Sequence, residues 1–246
     1  MPKTLSLQNP IHTSTKSARP APSSRPTARD GKLPRPRVAT RALRPPAVPL
    51  LTLDPSFSLW SMSDRLTDEF PKHWTGVNQS LTGMARIDGK SFRCIGPQPE
   101  DIPAARQVRL EVLPTRTRYT FRAAGVEILL TFMTPSLPSN PHTLSWPVGY
   151  VTFDLRATDG QPHAVQLYFD VCAEFVVDSP DQRIVGSRLN CGGATALSFG
   201  TASQNILASA GDDRRIDWGY LYLIIRDTPG QPRADTCIAP KQDVQE

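Results

Sequence analysis

The chain has 246 residues, which is enough for one large all-β domain or two ordinary domains. Its charge is uneven. Residues 1–49 contain ten Lys and Arg residues and a single acid, Asp30, whereas the remainder holds 18 basic residues against 22 acids. The high isoelectric point therefore belongs to the N-terminal segment. A nucleic-acid-binding protein needs a basic patch on its folded body, so composition argues against that class.

Residues 1–43 are rich in Pro, Ser, Thr and Arg and contain few large apolar side chains. Such a segment buries too little apolar surface to offset the entropy of ordering, so we predict a disordered basic tail. A linker, a leader or an extended gene model would all give this composition. A transit peptide is the alternative, although the prolines oppose the amphipathic helix of such peptides.

No apolar run of signal-peptide length follows Met1–Lys3, and no stretch approaches the ~20 apolar residues of a membrane span. The sequence alone therefore predicts a soluble protein that neither is exported nor contacts a membrane.

The remaining residues alternate with the period of two that is typical of β-strands. In the clearest case Val151, Phe153 and Leu155 face one way, and the polar residues between them face the other. A second run, His163–Glu174, places Cys172 on its outward phase, which faces either solvent or a second layer. Around ten strands are predicted, at Phe57–Ser61, Ser80–Ile87, Lys90–Ile95, Val108–Leu113, Arg116–Phe121, Val126–Phe132, Val151–Ala157, Ala164–Val171, Ile184–Arg188, Ala194–Phe199 and Tyr220–Ile225.

Turn residues separate these runs. Asp88-Gly89, Ala123–Gly125 and Asp159-Gly160 each lie between two predicted strands, and Asp-Gly is a strong hairpin signal. Asp64–Phe70 could form one short helical turn. Many short strands without intervening helices predict an all-β fold, which we interpret as a large antiparallel two-sheet β-sandwich over residues 44–246.

Sequence motifs provide no self-sufficient catalytic signature. The four histidines lack metal-ligand spacing, no nucleophile elbow occurs, and Gly192-Gly193 is too short for a phosphate loop. The cysteines form no C-x-x-C pair, so we predict no metal site and no cofactor. Isolated structural thiols are expected at Cys94, Cys172, Cys191 and Cys237, although up to two disulfides remain open in an oxidising compartment.

Two polar and aromatic clusters are candidates for binding a small polar ligand. In the first, His73 and Trp74 place a titratable ring beside a stacking surface. The alternative is that His73 caps a turn while Trp74 packs on the rim of the fold. The first cluster continues into Asn78, which begins an Asn-Gln-Ser glycosylation signal that has meaning only on a secretory route.

The second cluster lies within residues 211–219 and combines three carboxylates with two guanidinium groups. Paired carboxylates can perform acid–base chemistry when their environments separate their pKa values. Equally, such clusters form exposed ion pairs of small energetic value. We select Asp217 and Trp218 as candidate ligand contacts, because they join an acid to a large ring at a strand edge.

These clusters belong to a set of segments that together resemble the N-terminal region of the glutaminase A family of fungi and bacteria. The likeness spans roughly residues 44–225 and is carried by Arg44–Asp64, Leu66–Asp68, His73–Gly76, Ile87–Lys90, Leu113–Phe121, Thr131–Pro135, Tyr168–Asp170 and Gly211–Tyr220.

The resemblance implies a longer, secreted hydrolase in which a β-sandwich precedes a helical, barrel-like domain. The implied reaction is hydrolysis of L-glutamine to L-glutamate and ammonia. No residue here is assigned a catalytic role by the resemblance. Because no helical domain follows by residue 246, we expect a fragment or an altered gene model that is inactive alone. A carbohydrate-binding or other ligand-binding sandwich is the alternative, and a free-standing protein whose basic tail docks on an acidic partner is a third reading.

Overall fold

The computed structural model describes residues 3–12, 44–226 and 235–240. These residues form fifteen strands, one helical turn at Pro141–Leu144 and one 3₁₀ turn at Ala173–Val176. The strands, numbered β1 to β15 in chain order, are Lys3–His12, Val48–Asp54, Phe57–Ser61, Lys72–His73, Leu81–Ile87, Lys90–Ile95, Arg106–Leu113, Arg116–Ala123, Val126–Met133, Tyr150–Ala157, Ala164–Cys172, Ile184–Cys191, Ala194–Thr201, Leu221–Arg226 and Asp235–Pro240.

The described strands form four sheets. The first has the order β15-β1-β11-β5-β6, the second β10-β9-β8-β7, the third β12-β13-β14 and the fourth β2-β3-β4. Every pair of neighbouring strands in these sheets is antiparallel. The predicted all-β antiparallel fold is therefore confirmed, with its strands divided among four sheets where the sequence suggested two.

Strand β1 lies within the segment predicted to be a disordered tail. Its backbone pairs with β11 on one side and with β15 on the other. Paired edges satisfy backbone N–H and C=O groups that would otherwise be exposed, which gives a physical reason for a strand at residues 3–12. The prediction for the rest of residues 1–43 lies outside the described residues.

Two hairpin turns have the backbone that their sequences predict. Asp88 and Gly89 both have positive φ, at 48° and 85°, as a two-residue turn of the primed type requires. Ala124 and Gly125 repeat this geometry with φ of 43° and 75°. Ala124 therefore holds an L side chain in the left-handed region, which is a source of local strain.

Apolar side chains from all four sheets share one interior. Leu59, Ile87, Phe121 and Phe199 come from the fourth, first, second and third sheets, and each is fully buried in the same cluster. Phe153 of β10 meets Phe169 of β11 edge to face, with ring centroids 6.2 Å apart. The second sheet thus packs against the first, as expected of a sandwich.

The far end of β11 is buried on both faces. Phe169 and Val171 lie on its inward phase, but Asp170 and Cys172 on the outward phase are also buried. Asp170 accepts hydrogen bonds from the Tyr168 hydroxyl at 2.8 Å and from a backbone N–H at 3.2 Å. The outward phase therefore faces a second layer at this end, which the alternation of β11 left open.

A close backbone approach fixes the residue after β6. Gly96 has φ of 81°, and a Cβ atom there would lie 2.7 Å from the carbonyl oxygen of Leu81. The preceding residues include the fully buried Cys94, where burial raises the pKa of the thiol to about 12. Cys94 is thus an unreactive packing residue at neutral pH.

Candidate functional site

The His73 loop begins with the two-residue strand β4 and turns back at once. The His73 carbonyl accepts a hydrogen bond from the backbone N–H of Gly76 at 2.9 Å, and the His73 backbone N–H donates to the carbonyl of Val77 at 2.8 Å. Gly76 has φ of 90°, a conformation suited to glycine. This short loop directs the His73 ring inward and leaves Trp74 at the surface.

The His73 imidazole is fully buried, and both of its nitrogens are occupied. Nε2 lies 3.0 Å from the carbonyl oxygen of Pro55, and Nδ1 lies 2.9 Å from the Thr75 hydroxyl. Because a carbonyl oxygen only accepts, Nε2 carries the proton and Nδ1 accepts from Thr75. Burial lowers the pKa of His73, so the ring is neutral at pH 7 and serves the local structure.

Trp74 differs from its neighbour in being 45% exposed. Its indole N–H donates to the same Pro55 carbonyl at 2.7 Å, and its ring lies 5.6 Å from the His73 ring, centroid to centroid. The hydrogen bond fixes the orientation of the indole while part of the ring remains in solvent. Of the two residues predicted here, Trp74 is the one whose ring reaches solvent.

Asp217 is almost fully buried and held by hydrogen bonds within the fold. Its Oδ2 accepts from the Gln182 amide at 3.0 Å, and its backbone carbonyl accepts from the Thr201 hydroxyl. The other end of the Gln182 amide accepts from the backbone N–H groups of Asp178 and Ser179. Gln182 therefore ties the loop that contains Asp217 to the segment that follows the 3₁₀ turn.

The two arginines predicted beside Asp217 bind a different acid, Asp178. Arg214 lies 2.5 Å from Asp178 Oδ2, and the backbone N–H of Arg215 donates to Oδ1 at 3.2 Å. Burial opposes ionisation of Asp178, but the hydrogen bonds from Arg215 and Arg214 outweigh it and lower the pKa of the carboxyl. The sequence did not single out Asp178 or Gln182, because both lie more than 30 residues from their partners.

The two predicted clusters approach each other at Arg215. The positive charge of Arg215 contributes to lowering the pKa of His73, after the larger effect of burial. Phe57 of β3 also packs on Phe175 of the 3₁₀ turn, with ring centroids 5.6 Å apart. Within residues 44–226, no hydrogen bond or ring contact joins Trp74 to Asp217 or to the half-buried Trp218. The two clusters are thus separate anchored loops, and His73 of the first lies within the electrostatic influence of Arg215 in the second.

Next to the first cluster, Asn78 is exposed and Gln79 is fully buried. Neither Nε2 nor Oε1 of Gln79 has a hydrogen-bond partner among the described residues. Its backbone N–H donates to Pro71 at 2.9 Å, so the main chain is satisfied while the side-chain amide is not. A buried amide of this kind costs free energy unless a water molecule or another polar group reaches it.

A third titratable cluster, the His163 cluster, lies where the β5–β6 hairpin turn meets the connection from β10 of the second sheet to β11 of the first. His163 Nδ1 lies 2.6 Å from Asp88 Oδ2, and Nε2 lies 3.0 Å from Asp159 Oδ1. Hydrogen bonds to Asp88 and then to Asp159 raise the pKa of His163. The sequence predicted both Asp-Gly turns without indicating that His163 would join them.

None of these clusters is arranged as a metal site. The carboxylates of the His163 cluster approach opposite ring nitrogens, so they cannot share one ion with the ring. Over the described ranges, no three His, Cys, Asp or Glu side chains come together in a way that could hold a metal. Nor does any helix in these ranges have the length and apolar character of a membrane crossing.

The fold and these clusters define an antiparallel all-β domain whose polar groups are mostly engaged in holding its loops. A family model described as a domain of unknown function, DUF5127, matches residues 115–244, and a second, DUF4964, matches residues 35–105. The chain belongs to the DUF5127 family.

Curated relatives of the chain are longer proteins. Glutaminase A of Aspergillus oryzae is 29% identical over 140 residues, which cover 54% of this chain and 20% of that protein. A probable glutaminase of Arthroderma benhamiae is 24% identical over 204 residues, which cover 74% of this chain and 23% of that protein. The matched region thus spans about a fifth of either relative. The predicted resemblance to glutaminase A is confirmed, and no solved structure matches the chain.

Proposed function

We propose that residues 44–246 form the N-terminal β module of a glutaminase A-like amidohydrolase, which converts L-glutamine to L-glutamate and ammonia. In this proposal the module supports a catalytic helical domain and is inactive alone. The similarity to Glutaminase A supports the assignment, since it extends over 54% of the chain but only 20% of the relative. Catalytic groups would then lie in the part of such a protein outside the match.

The observation that carries the proposal is that His73 and Asp217, the predicted polar residues with acid–base potential, are bonded to other groups of the fold. Both nitrogens of His73 contact protein atoms, and Asp217 is buried against Gln182. Amide hydrolysis requires a nucleophile or activated water within reach of a base. Neither side chain has a ring nitrogen or an exposed carboxylate oriented toward a substrate, so both support structure rather than chemistry.

Ammonia release from glutamine tests this proposal directly. The purified 246-residue chain should release no more ammonia than buffer, while Glutaminase A of Aspergillus oryzae provides the positive control. Turnover by the chain at an enzyme-like rate would contradict the proposal. If that turnover also disappeared in His73→Gln, the histidine would be catalytic after all.

A second candidate function is binding of a carbohydrate or another small polar ligand. The observation that favours it is the fixed and half-exposed indole of Trp74. A ring held by its N–H group can stack on a ligand at little cost in side-chain entropy. Sugar-dependent quenching of tryptophan fluorescence should then vanish in Trp74→Ala and persist in Trp146→Ala, a control residue that is 53% exposed on another loop.

Trp218→Ala completes this test, because Trp218 was the other aromatic candidate. Loss of quenching in Trp218→Ala but not in Trp74→Ala would move the ligand site to the second cluster. Quenching that survives in both variants would eliminate the predicted binding residues as a group.

Asn78 is proposed as a glycosylation acceptor for any form of the protein that passes through a secretory route. Its exposed side chain supports this assignment. Expression in a secreting host should give a glycan mass that Asn78→Gln removes. A secreted product without added mass would contradict it.

A further inference from the structure

The His163 cluster joins parts of the chain that are far apart in sequence. Asp88 lies in the turn between β5 and β6 of the first sheet, and Asp159 lies in the connection from β10 of the second sheet to β11 of the first. The His163 side chain is 8% exposed and lies between the two carboxylates. One ring therefore connects the two segments through its two nitrogens.

The turn between β8 and β9 lies directly against the cluster. A Cβ atom at Gly125 would collide with the Asp159 carboxylate and would lie 2.9 Å from His163 Nε2, so both side chains pack on this glycine. Thr158 donates to the Gly125 carbonyl from its backbone N–H at 2.7 Å and from its hydroxyl at 2.9 Å. The Asp159 segment is thus bound to a turn of the second sheet, and His163 links it to the Asp88 turn of the first.

The geometry of the cluster requires a charged imidazole. Nδ1 of His163 lies 2.6 Å from Asp88 Oδ2, and Nε2 lies 3.0 and 3.1 Å from the two carboxylate oxygens of Asp159. An ionised carboxylate only accepts hydrogen bonds, and a neutral imidazole has a single N–H group. Both contacts can therefore be hydrogen bonds at once only when the ring is an imidazolium.

Loss of the ring proton makes the two contacts compete. The neutral ring donates to one carboxylate, while the lone pair of its other nitrogen faces the second carboxylate. The second carboxylate then has no donor on the ring and is repelled by the lone pair, which costs free energy. The cluster accordingly has one arrangement for each charge of the ring, and the neutral ring gives up one of its two acids.

Backbone hydrogen bonds hold Asp88 more firmly than Asp159. The Asp88 backbone N–H donates to the Ala164 carbonyl at 3.0 Å, and Asp88 Oδ1 accepts from the Ala164 backbone N–H at 2.9 Å. These bonds fix Asp88 against the residue that follows His163. The Asp159 carboxylate, by contrast, accepts from the backbone N–H of Gln161 in its own segment, at 3.0 Å. A neutral His163 therefore keeps its proton on Nδ1, bonded to Asp88, and loses the contact with Asp159.

A second histidine lies on a strand beside the cluster. Strand β1 pairs with β11, and its last residue, His12, is opposite Ala164. Further charged residues on the elements around His163 are Arg86, Lys90, Arg122, Glu127 and Arg156. Histidine is the side chain whose charge ordinarily changes between pH 5 and pH 8. A response of the cluster to pH near neutrality therefore belongs to His163 or to His12, and the experiment has to separate the two.

We propose that His163 is a proton-controlled latch between the turns of the first and second sheets. As an imidazolium it holds Asp88 and Asp159 together, and as a neutral ring it keeps Asp88 and releases Asp159, so that residues 159–162 become mobile. These four residues are all exposed, and segments with few buried contacts open at a low cost in free energy. The latch belongs to the β module itself and does not depend on the proposed function.

The direction of the response follows from the two carboxylates. Hydrogen bonds to Asp88 and then to Asp159 raise the pKa of His163 above its ordinary value of 6.5. The imidazolium is therefore fully formed in mild acid and is lost as the pH rises through this raised pKa. The latch is closed at low pH and open at high pH.

Nuclear magnetic resonance of the full 246-residue chain at about pH 5 and about pH 9 tests the latch. The nitrogen-15 signals of the His163 ring, assigned by their absence in His163→Gln, should show both nitrogens protonated at the lower pH and only Nδ1 protonated at the higher pH. Backbone order parameters of residues 159–161, measured on carbon nuclei that do not exchange with water, should fall from about 0.85 to below about 0.6. Those of Asp88 should stay near the higher value.

Two variants identify the groups responsible. In Asp159→Asn the side-chain amide can accept a hydrogen bond from a protonated Nε2 and can donate one to an unprotonated Nε2. Residues 159–161 should therefore stay ordered at both pH values in this variant. In His12→Gln the response to pH should equal that of the wild-type chain. Circular dichroism of both variants shows that they are folded at each pH.

Each result supports or overturns the latch. Equal order parameters of residues 159–161 at the two pH values overturn it, and so does a neutral His163 ring with its proton on Nε2. A response that disappears in His12→Gln assigns the titration to β1 and overturns the role of His163. A response that persists in Asp159→Asn shows that the Asp159 carboxylate is not the group released.

Discussion

Replacing Asp217 with alanine would show whether this acid stabilises the loop after β13 or is held ready for a ligand. The side chain is 7% exposed, and its Oδ2 accepts a hydrogen bond from the Gln182 amide at 3.0 Å. In Asp217→Ala that amide loses its acceptor inside the fold. The other end of Gln182 still accepts from the backbone of Asp178, so the segment stays in place while one donor is left unpaired.

The expected cost follows from the type of hydrogen bond lost. A hydrogen bond to a charged group contributes about 1.5–3 kcal/mol net, so Asp217→Ala should lower the free energy of unfolding by about that amount. For a domain of this size the melting temperature should fall by about 3–12 °C. Asp217→Asn keeps an acceptor oxygen for Gln182, so it should retain most of the stability.

Urea unfolding followed by circular dichroism measures this effect, with Asp213→Ala as the matched control. Asp213 is an exposed acid of the same loop, so its removal should change the free energy of unfolding by less than about 0.5 kcal/mol. If Asp217→Ala is as stable as Asp213→Ala, Asp217 does not stabilise the fold, and the hypothesis that it binds a ligand is favoured.

Four further outcomes are expected. Gly96→Ala should lower the free energy of unfolding by more than Gly89→Ala does. Both glycines have positive φ, so Gly89→Ala should cost about 1–3 kcal/mol. Of the two, only Gly96 would bring a Cβ atom against a backbone oxygen. The stability difference between wild type and His163→Gln should be largest between about pH 4 and pH 6.5, the ordinary pKa of histidine. The pKa of His163 is raised, so its stabilising contribution is lost as the pH rises; the pKa values of Asp88 and Asp159 are lowered, so theirs is lost as the pH falls. A difference that stayed constant from about pH 5 to 9 would refute a charged His163 between the two carboxylates. Ala124→Asn should raise the free energy of unfolding by about 0.5–1 kcal/mol in urea unfolding, as Asn-Gly suits this turn. Gln79→Met should be neutral or stabilising in the same urea assay, since the buried amide has no described partner; a loss of about 2 kcal/mol would indicate a water molecule or other polar group bound there.

Local signals in the sequence were sufficient for most of the strands. Phe57–Ser61 and Lys90–Ile95 begin and end where the alternation and the turn residues predicted. Strands β2 and β4 were missed because β2 is interrupted by two register shifts and β4 has only two residues. A strand with two bulges and a strand of two residues do not give the regular alternation from which strands are predicted.

The candidate site was predicted less well than the strands. His73 and Asp217 were identified as polar residues with chemical potential, and both are buried and bonded to protein groups. A sequence gives the residue type and its neighbours but not the depth of the side chain. Burial decides whether a histidine titrates near neutral pH, and the Pro55 carbonyl that fixes this ring lies 18 residues away.

The sequence by itself determined the all-β class, the position of the turns and the family likeness, because these depend on residues close together in the chain. Only the tertiary structure decided which strands share a sheet and that the Asp88 turn and the Asp159 segment meet at His163. These features arise from contacts between residues tens of positions apart, whose pairing depends on how the whole interior packs.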